Sequence, residues 1–176
     1  MSVRSVRYDR AGHFSILCLF SSLTNASDFY SHCHPDEVTY FSCSIEGINE
    51  VASLCSNESD GNETLQFRLG KKGKPSVIYP SDKGGALSDF SSQSNYHHNP
   101  IDDSKDIFNY EISFYSQNKM YILRTSGGGD EQLFTGIDIK NGNGSWQEWA
   151  EGGWTTYSCS VGSYEGNPGD IARRLE

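Results

Sequence analysis

The sequence predicts an all-β domain: a single antiparallel sandwich or barrel of about eight short strands, stapled by disulfides. Three observations carry this expectation. Aromatic and β-branched residues alternate with polar ones in short runs, and Gly, Asn, Asp and Ser gather between the runs. Helical periodicity is confined to the tail PGDIARRLE, where Asp170 can cap one or two turns.

The strands are taken in chain order. VTYFSCSI (38–45) and EVASLC (50–55) form the first pair, separated by a Gly-containing turn. TLQFRL (64–69) comes after the polar stretch SNESDGNE, which reads as a flexible connection. SVIYP (76–80) follows the basic turn KKGKP and stops at Pro80, because proline has no N–H for a sheet ladder. IFNYEISFYS (107–116) and KMYILRTS (119–126) meet through Gln117-Asn118, a tight hairpin. LFTGIDIK (133–140) and WTTYSCSV (154–161) flank the long connection NGNGSWQEWAEGG. Residues 81–106 have little apolar content and no sustained period, so they read as a long loop.

The first 26 residues have the order of a secretory signal. Arg4, Arg7 and Arg10 precede the apolar run FSILCLF, and a small residue stands at Ala26. The expected organisation is therefore a cleaved leader over 1–26 and one β domain over 27–176, placed in the periplasm or secreted. Cleavage removes three arginines and Asp9, leaving 11 basic against 22 acidic residues and shifting the net charge from −9 to −11. Such an acidic surface disfavours nucleic acid and attracts basic proteins. No apolar stretch approaches the roughly 20 residues that span a bilayer as a helix.

Four cysteines would remain: Cys33, Cys43, Cys55 and Cys159. An even number in a small exported chain implies a disulfide framework, with three possible connectivities. The even spacing of Cys43 and Cys55 favours a local staple between them, which leaves Cys33 to join Cys159 across the chain.

Tyr40-Phe41-Ser42-Cys43, Val51-Ala52-Ser53-Leu54-Cys55, Leu65-Gln66-Phe67-Arg68-Leu69-Gly70, and Lys74-Pro75 followed by Tyr79-Pro80 resemble a group of small exported bacterial β-rich proteins of uncharacterised function. The resemblance is strongest over residues 38 to 80. It implies export and a β fold but no reaction. In layout the chain is also similar to the periplasmic lysozyme inhibitors, which present a Ser-Gly-x-x-Tyr loop to the enzyme. Here Ser126-Gly127 is followed by Gly128, Gly129 and Asp130, so the tyrosine of that loop is missing.

The candidate sites are chosen by residue chemistry. Ser126, Gly127, Gly128 and Gly129 form a permissive loop between two strands, with Asp130 and Glu131 at its tip, suited to entering a basic cleft. Trp146 and Trp149 stand in the other long connection, and tryptophan is enriched at binding hot spots. His32, Cys33 and His34 with Asp36 and Glu37 are the densest set of potential ligands. No second ligand pair at a recognised spacing accompanies them, so neither a metal nor another cofactor is expected. His97 and His98 lie near Asp102 and Asp103, but no serine has a Gly-x-Ser-x-Gly setting, and no catalytic residue is assigned. The leading expectation is a protein-binding inhibitor or immunity factor with a protein partner, a basic enzyme for instance. The alternatives are a small hydrolase working through a loop histidine and carboxylates, and a structural envelope component.

Overall fold

The computed structural model describes residues 30–59, 62–81, 85–102, 105–129, 131–142, 152–165 and 175. The expected leader lies outside these residues, as does the expected C-terminal helix apart from Leu175, which packs against the core. No helix of the described residues is long and apolar enough to cross a membrane.

Among the described residues ten strands form: β1 (Val38–Ile45), β2 (Val51–Ser59), β3 (Asn62–Lys71), β4 (Lys74–Tyr79), β5 (Gly85–Ala86), β6 (Ser91–His97), β7 (Ile107–Ser116), β8 (Lys119–Gly128), β9 (Glu131–Asn141) and β10 (Thr155–Glu165). They make one antiparallel sheet in the order β4-β3-β2-β1-β10-β9-β8-β7-β6, with β5 added to β3. The sheet is open, since no pairing joins β4 to β6 among the described residues.

The corner is β10. Its first residues, Thr155 to Ser158, pair with β9, and its later part, from Cys159 to Glu165, pairs with β1. The sheet thereby folds over, and its two halves meet face to face. Phe67 on β3 lies 4.9 Å from Phe114 on β7 and 5.7 Å from Tyr121 on β8, between ring centroids. Period-two alternation supplies this interior: Phe41, Leu54, Leu65 and Phe67 from one half meet Ile112, Tyr121, Leu123 and Ile137 from the other. Burying each such side chain contributes about 1.5–3 kcal/mol.

Two connections differ from the sequence expectation. SNESDGNE is mostly strand: β2 and β3 pair out to Ser59 and Asn62, with only Asp60-Gly61 between them, a dipeptide that suits a two-residue hairpin. The region 81–106 is only partly loop. It contains β5, a 3₁₀ turn over Leu87–Asp89 and β6, which pairs with β7 along its whole length. Phe90 anchors this region by packing edge-on against the stacked rings of Tyr79 and Phe114, at centroid distances of 5.5 and 5.4 Å.

The four cysteines are bridged, but the expected pairing is corrected. The bonds are Cys33–Cys55 and Cys43–Cys159. Register explains why. Five residues separate β1 from β2, and Cys43 stands opposite Ala52, so Cys43 faces the interior with Ala52 and Leu54 while Cys55 turns to the outer face. Even spacing puts two residues on one face only within an uninterrupted strand, and a hairpin whose paired residues enclose an even number of residues, here six between Ser44 and Val51, reverses the parity. The two bridges point to an oxidising compartment.

Candidate functional site

Two regions of the surface concentrate chemistry. The first is built by the segment Tyr30–Glu37, which precedes β1 and crosses the outer face of β1, β2 and β3. Alternation along those strands places Ser42, Ser53, Gln66 and Arg68 beneath it. Ser53 Oγ accepts from the His32 N–H at 2.9 Å, Ser42 Oγ donates to the Tyr30 carbonyl at 3.1 Å, and the Cys33–Cys55 bond ties down its middle. Arg68, only 7% exposed, is the hub. Its guanidinium donates to both Glu37 oxygens, at 2.6 and 2.7 Å, to the His32 carbonyl at 2.8 Å and to Gln66 Oε1 at 2.9 Å.

Burial alone would raise the Glu37 carboxyl, but the Arg68 guanidinium and the His34 N–H together hold it below the usual carboxylate range. Burial lowers His32, and the Arg68 charge adds to this, while the hydrogen bond from His32 Nε2 to the Gly70 carbonyl opposes it. A groove of about 800 Å³ runs along the segment, lined by Tyr30, His34, Gln66, Arg68, Pro75 and Ile78 among others. Cys33, Glu37 and Cys55 bring potential ligand atoms within 4.8 Å of one another. Both sulfurs are spent in the disulfide and both carboxylate oxygens face Arg68, so this cluster is committed to holding the segment in place.

The second region is one end of the β6–β9 half. Loop 98–106 joins β6 to β7, and Asp106 organises it. The Asp106 carboxylate accepts from the Tyr96 hydroxyl, from the Asn99 N–H at 2.8 Å and from His98 Nδ1 at 3.1 Å. The Tyr96 hydroxyl first, and then the Asn99 N–H, hold Asp106 below its ordinary value. Asn99 Oδ1 accepts from the N–H groups of Ile101 and Asp102, closing a side-chain turn. The product is a loop held by its own polar groups with Ile101 at its outer point, 94% exposed. Tyr96, Ile107 and Leu133 are exposed close by.

The predicted glycine segment packs into this same end, but not as a free loop. Ser126, Gly127 and Gly128 belong to β8, and a bulge there lets Gly128 pair with Glu131. Gly128 has φ +103°, and a Cβ on it would stand 1.7 Å from the Asp106 carbonyl oxygen. Only glycine fits there, and the reason is close approach of two backbones rather than mobility. A Cβ on Gly127 would meet Leu133, and one on Gly129 would meet Ile107. The glycines therefore fasten the β8–β9 hairpin to the base of loop 98–106.

Of the other predicted binding residues, Asp130, Trp146 and Trp149 lie outside the described residues, and Glu131 is described in its backbone, as the first residue of β9. His97 ends β6 and His98 opens the loop. Ile101, Tyr96 and Asp106 were missed by sequence reasoning. The signal available was Asn99-Pro100, a turn initiator directly ahead of a lone isoleucine. No protein-family model, curated protein or solved structure matches the chain.

Proposed function

We propose that this chain is an exported, non-enzymatic protein-binding module, periplasmic or secreted, that inhibits or neutralises a basic enzyme by occupying its cleft. The observation that carries the reading is Ile101, 94% exposed on a stretch, residues 98–102, that the Asp106 carboxylate and the Asn99 side chain hold in place. Fixing a loop in advance reduces the ordering cost of association, and an apolar side chain at its point supplies the burial. Asp102 and Asp103 beside it, Asp130-Glu131 in the neighbouring hairpin and a net charge of −9 favour encounter with a positively charged surface. The similarity in layout to periplasmic lysozyme inhibitors agrees with a cell-wall-directed enzyme as the target.

The test is inhibition of peptidoglycan turnover by basic cell-wall hydrolases, together with co-purification from an envelope fraction. Wild-type protein is expected to slow turnover, and Ile101→Asp to weaken this by about tenfold or more. Neutralising Asp130 and Glu131 should weaken it further and make it less sensitive to salt. A complex whose affinity ignores both changes would refute the assignment of this end.

A second reading has one observation in its favour. The His98 ring is oriented by Asp106, as a general base often is by a carboxylate. Among the described residues no serine or threonine hydroxyl is hydrogen-bonded to that ring, so the pair has the place of a loop fastener. A hydrolytic activity that disappears in His98→Ala while binding persists would establish the hydrolase instead.

A further inference from the structure

The two disulfides occupy unlike surroundings. Cys43 is fully buried in the core and Cys159, partly buried, packs against that core, so the Cys43 sulfur is closed to an entering reagent. Cys33 and Cys55 are on the outer face, and Cys33 lines the groove beside Arg68 while Cys55 is 1% exposed beneath it. An Arg68 guanidinium nitrogen stands 3.5 Å from Cys55 Sγ.

We infer that the Cys33–Cys55 bridge is a site of thiol–disulfide exchange, attacked at Cys33 by an external thiol. Exchange needs an attacking thiolate with access to one sulfur and a leaving sulfur whose negative charge is stabilised. The groove gives access to Cys33. When the thiolate bonds to Cys33 Sγ, the sulfur–sulfur bond breaks and its electron pair departs on Cys55, where Arg68 provides the nearest positive charge. The product is a mixed disulfide on Cys33 and a thiolate on Cys55. A second equivalent of thiol, or the second group of a dithiol, then attacks the external sulfur and releases Cys33. The bridge gains two electrons and two thiols are oxidised to a disulfide. Glu37 shares the same guanidinium and tempers its effect, since the carboxylate accepts two of its hydrogen bonds.

Exchange at this bridge leaves the segment 30–37 held by its hydrogen bonds to Ser42, Ser53 and Arg68, while Cys43–Cys159 still joins β1 to β10. The cover over β2 and β3 is thereby loosened, and the two-layer core is retained.

The experiment treats the folded protein with a graded series of glutathione, then of dithiothreitol, followed by acid quench, alkylation and peptide mass spectrometry. Cys33 and Cys55 should label in a first phase, with Cys43 and Cys159 protected until the protein is denatured, and the glutathione adduct should be on Cys33. An adduct on Cys55, simultaneous labelling of all four cysteines, or earlier labelling of Cys43 and Cys159 would overturn the inference. Arg68→Gln, where it retains the wild-type circular dichroism, should slow the first phase by about tenfold, the effect of one charge-assisted hydrogen bond. An unchanged or faster rate in that folded variant removes Arg68 from the mechanism. If the variant does not fold, the position of the adduct in the wild type still decides.

Discussion

Arg68 and Glu37 form an ion pair in which both side chains are under 10% exposed, and three hydrogen bonds from the Arg68 guanidinium hold the segment 30–37 to the sheet. Truncating one partner leaves the other charged and buried, so Arg68→Ala should lower unfolding free energy by about 3–5 kcal/mol in urea titration. His32, Glu37 and Asp106 are all held below their ordinary values, 6.5, 4.5 and 3.8, so the folded state binds fewer protons than the unfolded one. Their contribution is complete above those values and is lost as pH falls. Midpoints of denaturation should therefore decline first below about pH 6.5, through His32, and again below about pH 4.5. His32→Gln should remove the first decline and spare the second. Gly128→Ala should destabilise by more than about 1 kcal/mol, because its positive φ and the Asp106 carbonyl both exclude a Cβ. The glycine run was legible as special backbone, but its cause was not, because the opposing Asp106 carbonyl is supplied by a segment about twenty residues away in sequence. Ile101 escaped for a similar reason, since a single isoleucine has no pattern and only burial distinguishes an anchor from a core residue.

Among the elements, the hairpin at Gln117-Asn118 was read closely, whereas the stretch around Asp60-Gly61 was taken as a flexible connection and β6 was not read as a strand. Gln117-Asn118 has φ of +52° and +56°, the two-residue turn its sequence suggested. Glutamine is a poor occupant of that conformation, so Gln117→Asn should raise thermal stability by a few tenths to about 1 kcal/mol, read as an increase in melting temperature. β6, with the sequence SSQSNYH, was invisible because its polar residues lack an apolar alternation. What makes it a strand is its continuous register with β7, a tertiary property that propensity does not encode. The same limit applies to the cysteines. Their oxidation was legible from number and context, whereas their pairing depended on the register of β1 against β2, in which Cys43 stands opposite Ala52.

Across the whole molecule the two bridges divide their work unequally. Cys43–Cys159 closes a separation of 116 residues and Cys33–Cys55 one of 22. The chain-entropy model assigns about 5 kcal/mol to the first and about 3 kcal/mol to the second. Replacing both Cys43 and Cys159 by alanine should accordingly reduce stability more than replacing Cys33 and Cys55, as measured by guanidinium denaturation. The second pair of replacements should preserve the near-ultraviolet signal of the aromatic core, because that core is on the opposite face of the sheet from Cys55. The position of β10 carries a further consequence. It is the piece on which both layers depend, so neither has its full complement of neighbours until Glu165 has been synthesised. The runs β1–β4 and β6–β9 can each pair locally as they are made, but the chain gains its folded-over shape only once the pairings of β10 close.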